Sequence, residues 1–562
     1  MVFYRNLKGQ EWLFPHDIRD MIPDNHICHL VDMVMGGMDF NDLESSYEGP
    51  GHPAYHPKVM LKILIMATID GIHSSRNIAK LARENVVYMY LAGLLKPDFR
   101  TISDFRKDHP EEVRRAFKEV VMLAKSLDMV HLGHISIDGT RVKANASNYS
   151  VIKKEDLDEI DRFIREELAR GAEEDEKEDE IYGLDKTGYE LPEDTDKKKI
   201  VSRIKERFKK GDDKERRRLL KIMGKARDEM ERGKGNLASL TDPESRFMRN
   251  SNGRIGLSYN AQITVDSEEG IILANDVVQD SHDSGQLIPQ IEQTEEYLGK
   301  DLSDIEVSAD NGYYSMDNIL FLKSKKIDGY IPDEDLATEM KGSTRREGFF
   351  LKRMFRYDKD KDFFICPEGK NLTLSTEYLD KSNGRRVRTY RCGMKVCFEC
   401  SSRKRCTKSK KGRIVKSYGH ETLRLEMAEK MRSDAGRKKY KMRARTVEAP
   451  FGDIKQNMGL REFLTRGVTT VKTEFNLVCT AHNLKRIWKH IGEKSVLTDM
   501  GVNERLSTSD CVKTTNFVNS LPSFSCKHVF LHNLTLWGLG IFNQIFAIFI
   551  LLTTDIELSD SL

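Results

Sequence analysis

Three carboxylates sit where the sequence changes character. Asp138 interrupts the apolar strand run HISIDGTRVKA, Asp310 ends the run DIEVSADNGYY, and Glu448 lies in the basic stretch GRKKYKMRARTVEAPFGDIK. An aspartate in or at the end of a strand is ordinarily a bulge or edge acid. Small or polar residues follow both aspartates, Gly139 and Thr140 in one case and Asn311 and Gly312 in the other, so backbone and a bound molecule can approach closely. Mg²⁺ or Mn²⁺ wants hard oxygen ligands and keeps several waters, so two or three carboxylates with open positions suffice for a pair of ions. Such a pair activates an attacking oxygen and stabilises a leaving oxygen during in-line displacement at a phosphodiester. Glu448 and Lys455 are two helical turns apart and share a face, which places a metal-binding carboxylate beside a lysine suited to phosphate. Tyr440 and Arg443 would form the preceding turn of the same wall, and Pro450 is expected to kink that helix or start a new one.

A second constellation is made of thiols. Cys366 opens CPEGK, and Cys392, Cys397, Cys400 and Cys406 follow in CGMKVCFECSSRKRC. The CxxC pair at 397 and 400, with further thiols on either side, has structural zinc spacing, and five cysteines compete for four tetrahedral positions. Reduced free thiols are the plainer reading, and a redox pair is disfavoured in so polar a segment. Beyond the cluster the charge becomes strongly basic: Arg403, Lys404, Arg405, Lys408, Lys410, Lys411, Arg413 and Lys416, then Arg437, Lys438, Lys439, Lys441, Arg443 and Arg445. A basic strip beside a carboxylate site suits DNA phosphates, through counterion release and with steep salt dependence.

The elements that must position these groups follow from pattern. Residues 1–125 read as a helical domain, with apolar residues at helical spacing in VMLKILIMATIDGI and NIAKLARENVVYMYLAGLL. Scattered cations there, among them His73, Arg76, Arg83, Arg100, Arg106 and Lys107, suit either DNA contact or a solvated surface. Residues 126–490 read as one α/β domain: a strand at 135–142, strands at 256–266 and 271–280, a helix, the strand ending at Asp310, a helix, and a short strand DGYIP. Two insertions interrupt it. One, at about 145–252, is charged and helical, with an acidic block at 173–180 and a mostly basic stretch after it; the other, at about 340–425, is cysteine-rich and basic. The order is that of a ribonuclease H-like mixed sheet, in which the first and fourth strands are parallel neighbours and the two aspartates can face one another.

The chain is too long for a single core, at 562 residues, and its near-neutral net charge of +3 excludes nothing about partners. Nine cysteines in clusters, and an opening MVFYRNLKGQ without an apolar signal core, point away from a disulfide-stapled secreted scaffold and towards the cytoplasm. Residues 491–562 form an atypical tail whose chargeless run, Leu534–Thr554, is about as long as a membrane span. A membrane anchor, a covered hairpin, and a reading frame that has run past its usual stop are the three readings, of which the last is preferred and a membrane partner is not expected.

Asp138 in ISIDGTRVKA, Asp310 in SADNGYY, and Tyr440, Arg443, Glu448 and Lys455 in YKMRARTVEAPFGDIK together resemble the three blocks of the DDE transposases of bacterial and archaeal insertion sequences. The branch is the one marked by a tyrosine-arginine-glutamate-lysine signature, and the likeness spans about residues 1–490, N-terminal helical domain included. Four residues separate Arg443 from Glu448 where the signature has three, and Arg445 is the alternative. The resemblance implies Asp138, Asp310 and Glu448 as catalytic ligands of Mg²⁺ or Mn²⁺, Tyr440, Arg443 and Lys455 as DNA contacts, and zinc on Cys366, Cys397, Cys400 and Cys406 with Cys392 spare. It further implies cleavage at the inverted repeats that end a DNA element, transfer of the strands into target DNA, and a homodimer pairing two ends. A non-catalytic DNA-binding descendant, a ribonuclease H-like nuclease and a membrane-tethered protein are the competing functions.

Overall fold

A computed structural model describes residues 17–40, 54–147, 151–178, 198–233, 236–249, 255–340, 349–379, 386–409, 411–417 and 420–499. The apolar run Leu534–Thr554, Lys410 and the end of the acidic block lie outside these residues, and side chains are described neither for 167–200 nor for 493–499. The described chain forms two compact units: residues 17–105, 115–130 and 480–499 in one, and 106–114 and 131–479 in the other.

The first unit is helical. Its elements are α1 (Ile27–Gly36), α2 (Pro57–Ile69), α3 (Ser75–Glu84), α4 (Val86–Leu91), most of α5 (Phe99–Asp108) and most of α6 (Pro110–Ser126), with the end of a long helix near residue 499. The α2 helix starts where His56 caps the Lys58 amide and Pro57 presets the first turn. It is apolar on all sides and buried over most of its length, as a central helix must be. The run NIAKLARENVVYMYLAGLL divides at Asn85, which ends α3 and caps α4.

The second unit is built on a six-stranded sheet. Its first strand, β1 (His134–Lys143), leads into a charged excursion of β2 (Val151–Lys153), α7 (Lys154–Glu178), α8 (Lys198–Lys210), α9 (Asp213–Arg232) and β3 (Leu237–Ser239). The chain returns through β4 (Arg246–Arg249), β5 (Ile255–Asp266), β6 (Ile272–Val278), α10 (Leu287–Leu298), β7 (Glu306–Ala309), α11 (Met316–Ser324) and β8 (Asp328–Tyr330). The strands lie in the order β5, β1, β7, β8, with β6 and β4 both paired to β5. Pairing of β1 with β7 and of β7 with β8 is parallel, while β5 runs antiparallel to β1 and β6. This mixed sheet, preceded by helices, is the fold class expected from the strand pattern.

The charged excursion is not merely solvated helix. Ile152, Leu157, Ile160, Ile164, Val201, Ile204, Phe208, Leu219 and Met223 close into a hydrophobic core of its own. Their three- and four-residue spacing gives each helix one apolar stripe beneath a charged exterior.

After α12 (Glu334–Met340) the cysteine-rich segment forms a second, antiparallel sheet of β9 (Arg356–Asp358), β10 (Phe363–Ile365), β11 (Asn371–Leu379), β12 (Arg386–Arg391) and β13 (Ile414–Ser417). Two short helices, α13 (Met394–Phe398) and α14 (Arg403–Cys406), lie between the last two strands. Then come α15 (Glu421–Arg432), α16 (Asp434–Gly452), a π-turn over Asp453–Asn457, and α17 (Val468–Asp499), whose residues from 480 onward belong to the first unit. Contrary to the expectation at Pro450, α16 runs straight through it, and the wider π-turn begins three residues later, where Asp453 donates its amide to the Ala449 and Pro450 carbonyls.

Candidate functional site

Strand alternation sorts β1 into two rows. His134, Ser136, Asp138 and Thr140 fall on one face, and Ile135, Ile137, Gly139 and Arg141 on the other. The register pairs Ile137 with Ala309, so Asp138 and Asp310 are the next residue on each of two parallel neighbours and share a face. That face is polar: His134 Nε2 and Ser136 Oγ both meet Ser308 Oγ, at 2.8 and 2.9 Å.

The α16 helix is tied to this row by charge. Lys439 Nζ donates to Glu306 Oε2 at 2.5 Å, and one turn on Arg443 Nη1 donates to Asp138 Oδ2 at 2.7 Å. Lys455, in the π-turn, donates to Thr140 Oγ1. The Arg443 guanidinium lies over the Tyr440 ring, 5.6 Å from its centroid, a cation–π contact. Arg443, rather than exposed Arg445, therefore lies against the carboxylate pair. Its Nε is buried and has no partner among the described residues.

Glu448 is placed differently. It is exposed, on the same helix as Arg443 but well around from it, since five residues advance an α-helix by about 140°. Its partner at seven residues, Lys455, lies within the π-turn, where the helical register has shifted. Among the described residues no three His, Cys, Asp or Glu side chains stand close enough to hold a cation as they are.

Burial sets the electrostatics. It pushes the Asp138 carboxyl up from 3.8 to about 6; Arg443 opposes the shift and the Asp310 carboxylate adds to it. Burial lowers the Lys455 ammonium, against the attraction of Asp138. Asp310 is held by its own turn, where its Oδ1 accepts the Gly312 amide at 2.7 Å.

One carboxylate went unnoticed in the sequence. Asp283, buried in the loop after β6, accepts from Asn260 Nδ2 at 2.6 Å, Gln262 Nε2 at 3.0 Å and Arg141 Nη2 at 3.0 Å. The Gln262 carbonyl in turn accepts from the buried Tyr313 hydroxyl, whose acidity burial and the Asp283, Asp138 and Asp310 charges suppress. Gly139 makes the arrangement possible, because a Cβ there would stand 2.3 Å from Gln262 Nε2 and 3.0 Å from Asp283 Oδ1. Asp283 sits in SHDSG, a turn without periodicity, and its partners are brought in from two strands, so no local signal marked it.

The cysteines converge on a separate small pocket lined by Cys366, Cys392, Cys397, Cys400 and Cys406. Cys366 opens a tight turn in which Gly369 has φ +74° and the Lys370 amide donates to Cys366 Sγ at 3.2 Å. Burial pushes the Cys392 thiol up to about 11, helped by its hydrogen bond to Cys397. All five are free thiols.

Two consequences can be measured. In protein without added divalent cation, Asp138 binds a proton more tightly when folded than when unfolded, so its contribution to stability is lost as pH rises from 3.8 to about 6. Asp138→Asn removes that loss, and its unfolding free energy relative to the parent is expected to rise between pH 4 and pH 7, by up to about 3 kcal/mol, in denaturant titration; a relative stability that does not change with pH refutes it. Asp283→Ala strands the Asn260, Gln262 and Arg141 donors, and a loss of about 2–4 kcal/mol is expected in denaturant titration.

Among known families, residues 16–108 match the model of a transposase domain (DUF772) and residues 365–488 that of a transposase DDE domain. No curated protein matches. Among solved structures, the cryo-EM structure of the piggyBac transposase synaptic complex with hairpin DNA aligns over 83% of this chain and 76% of that one, at 9% identity and a TM-score of 0.30. The DDE match takes in the cysteines, Tyr440, Arg443, Glu448 and Lys455, whereas Asp138 and Asp310 lie outside both matched segments. With one transposase domain at its N-terminal side and a DDE domain at its C-terminal side, the chain carries the domain arrangement of insertion-sequence transposases.

Proposed function

We propose that this protein cuts the ends of a DNA element and joins them to target DNA, with Asp138 and Asp310 at the centre of the chemistry. The observation that carries the reading is the adjacency of the two carboxylates on parallel strands, closed over by Arg443 and Lys455 from the segment that matches the DDE domain. The donor set suits a hard divalent cation: two neighbouring carboxylates, of which the buried Asp138 has its proton affinity raised in part by the charge of Asp310, ask for a positive charge between them. Asp138, Asp310 and Glu448 are the residues that would hold Mg²⁺ or Mn²⁺, which when bound activates the attacking oxygen and stabilises the leaving oxygen of a phosphodiester. Glu448 would have to turn inward from its exposed position, so it is the ligand that completes the site on DNA or cation binding. Arg443 neutralises Asp138 meanwhile, and its buried, unpartnered Nε would become a donor for a DNA phosphate once the arginine is displaced from the carboxylate, with Tyr440 holding the guanidinium plane and Lys455 adding a second cation.

The thiol pocket is the second part of the proposal. Zn²⁺ would be held by Cys366, Cys397, Cys400 and Cys406, with Cys392 spare; these thiols line one pocket but must draw closer together to ligate, since no three of them stand near enough to hold a cation as they are. Zinc there would brace the small sheet, and the basic strip beside it would grip DNA. A homodimer pairing two element ends is the corresponding assembly.

Duplexes carrying the sequences that flank the gene are expected to be cut in Mg²⁺ by the intact chain and left uncut by Asp138→Ala or Asp310→Ala. Cutting that survives Asp138→Ala defeats the assignment, and cutting without subsequent joining makes the protein a nuclease instead. Elemental analysis is expected to find zinc in the purified protein, lost in Cys397→Ser and kept in Cys392→Ser; the reverse pattern exchanges the spare cysteine.

A further inference from the structure

The helix α9 lies in the charged excursion, and among the described residues none of its side chains hydrogen-bonds to Asp138, Asp310 or the five cysteines. Its inner face is settled: Leu219, Met223, Ala226 and Met230 join the excursion's own core. Cations flanking that core are paired, Arg227 with Asp158 and Asp161, Lys205 of α8 with Glu159, and Arg207 of α8 with Glu215. The outer face is not settled. Lys214, Arg217, Lys221 and Lys225 are exposed and, among the described residues, have no ion-pair or hydrogen-bond partner. Helical geometry gathers these four within an arc of about 80° along about 16 Å of axis. Arg218 beside them is held only by a 3.9 Å approach to Glu215.

This face is composed against the helix that bears it. Arg217 with Lys221, and Lys221 with Lys225, are like-charge neighbours four residues apart, a spacing at which repulsion destabilises a helix. Lys214 stands in the first turn, where the helix dipole disfavours a cation. Gly224 occupies the same face in mid-helix, at a cost in helix propensity, and nothing lies within 4 Å of where its Cβ would be. A surface needed only for solubility would mix both signs of charge. A stripe of like charge with a bare gap in it suits a polyanion that can lie along the helix and come close to the backbone.

We propose that the outer face of α9 docks on the sugar–phosphate backbone of duplex DNA, as a sequence-independent contact in addition to the catalytic site. The proposal rests on the reading of the chain as a DNA-acting transposase. Duplex DNA carries one negative charge per about 1.7 Å of axis, so four unpaired cations in a row find phosphates in any register, and their contribution appears as counterion release.

The test uses the full chain and a short labelled duplex of arbitrary sequence. Lys214→Ala, Arg217→Ala, Lys221→Ala and Lys225→Ala are combined in one variant, which keeps the helix because alanine raises helix propensity. Unchanged circular dichroism and melting temperature verify this. The expected result is a dissociation constant weakened about tenfold or more and a log–log salt dependence shallower by about three. A companion variant with Arg217→Lys and each lysine changed to arginine is expected to bind like the parent. A neutralised variant that binds with parental affinity and salt slope overturns the proposal while leaving the transposase reading in place. An intact chain that does not bind the duplex at all overturns that reading and this one together.

Discussion

The pairing of Ile137 with Ala309 in parallel register is the constraint on which the candidate site depends. It makes Asp138, in the middle of β1, and Asp310, just past the end of β7, same-face neighbours across two parallel strands, although they are far apart in the chain. Alternation then gives β1 a polar row running through His134, Ser136, Asp138 and Thr140, and a polar row in the middle of a protein must be matched or it is costly. Ser308 and Glu306 match its beginning, and α16 with its π-turn matches the rest, through Lys439, Arg443 and Lys455. The helix is thus held over the inner strands β1 and β7 by charges that belong to the site itself. Anything that changes the charge of the carboxylate pair changes what α16 rests on.

A buried ion pair is a poor source of stability, since desolvation takes back most of the attraction. The upward shift of Asp138 despite Arg443 at 2.7 Å is that balance made visible. The same balance prepares the site for exchange, because an arginine that compensates a carboxylate imperfectly can be displaced by a charge that compensates it better. On the opposite face of β1, where Gly139 leaves a gap, the Asp283 charge is satisfied by two amides and an arginine at once. The two carboxylates differ accordingly: Asp283 is a fixed anion that ties a loop to two strands, and Asp138 is an incompletely compensated one.

How much of this could be read from the chain differs from residue to residue. The strand order was legible, because β-branched runs and helical spacing alternate cleanly from Ile255 to Tyr330, and with it the neighbourhood of Asp138 and Asp310. That the five cysteines line one pocket was legible from spacing, whereas their side chains do not stand close enough to hold a cation as they are. Asp283 was not, since its meaning lies wholly in Asn260, Gln262 and Arg141, which no local pattern connects to it. Glu448 and Lys455 illustrate a different limit: the two-turn spacing assumed an α-helix, and the π-turn at Asp453–Asn457 removes that assumption. Composition also misjudged the excursion after β1. Counting charges predicts long solvated helices, while the stripe of Ile160, Ile164, Ile204, Phe208 and Leu219 beneath them builds a core.

That core has a consequence for where charge can be carried. A helix packed by an apolar stripe draws its stability from tertiary burial more than from its own propensity, so its outer residues are released from the need to stabilise it. In α9 the inner-facing Arg227 is paired with acids of α7, while Lys214, Arg217, Lys221 and Lys225 repel one another without an ion pair among the described residues, Asp228 being the one acid that continues their face. The asymmetry is hard to ascribe to solubility, which a mixture of signs serves better. It is readily ascribed to an anionic partner, for then the repulsion is present in the free protein and disappears on binding, which adds to the difference between the two states. The carboxylate pair follows the same logic with the signs reversed: like charges are held close by the fold and left partly uncompensated, which is the charge that the proposed cation would neutralise.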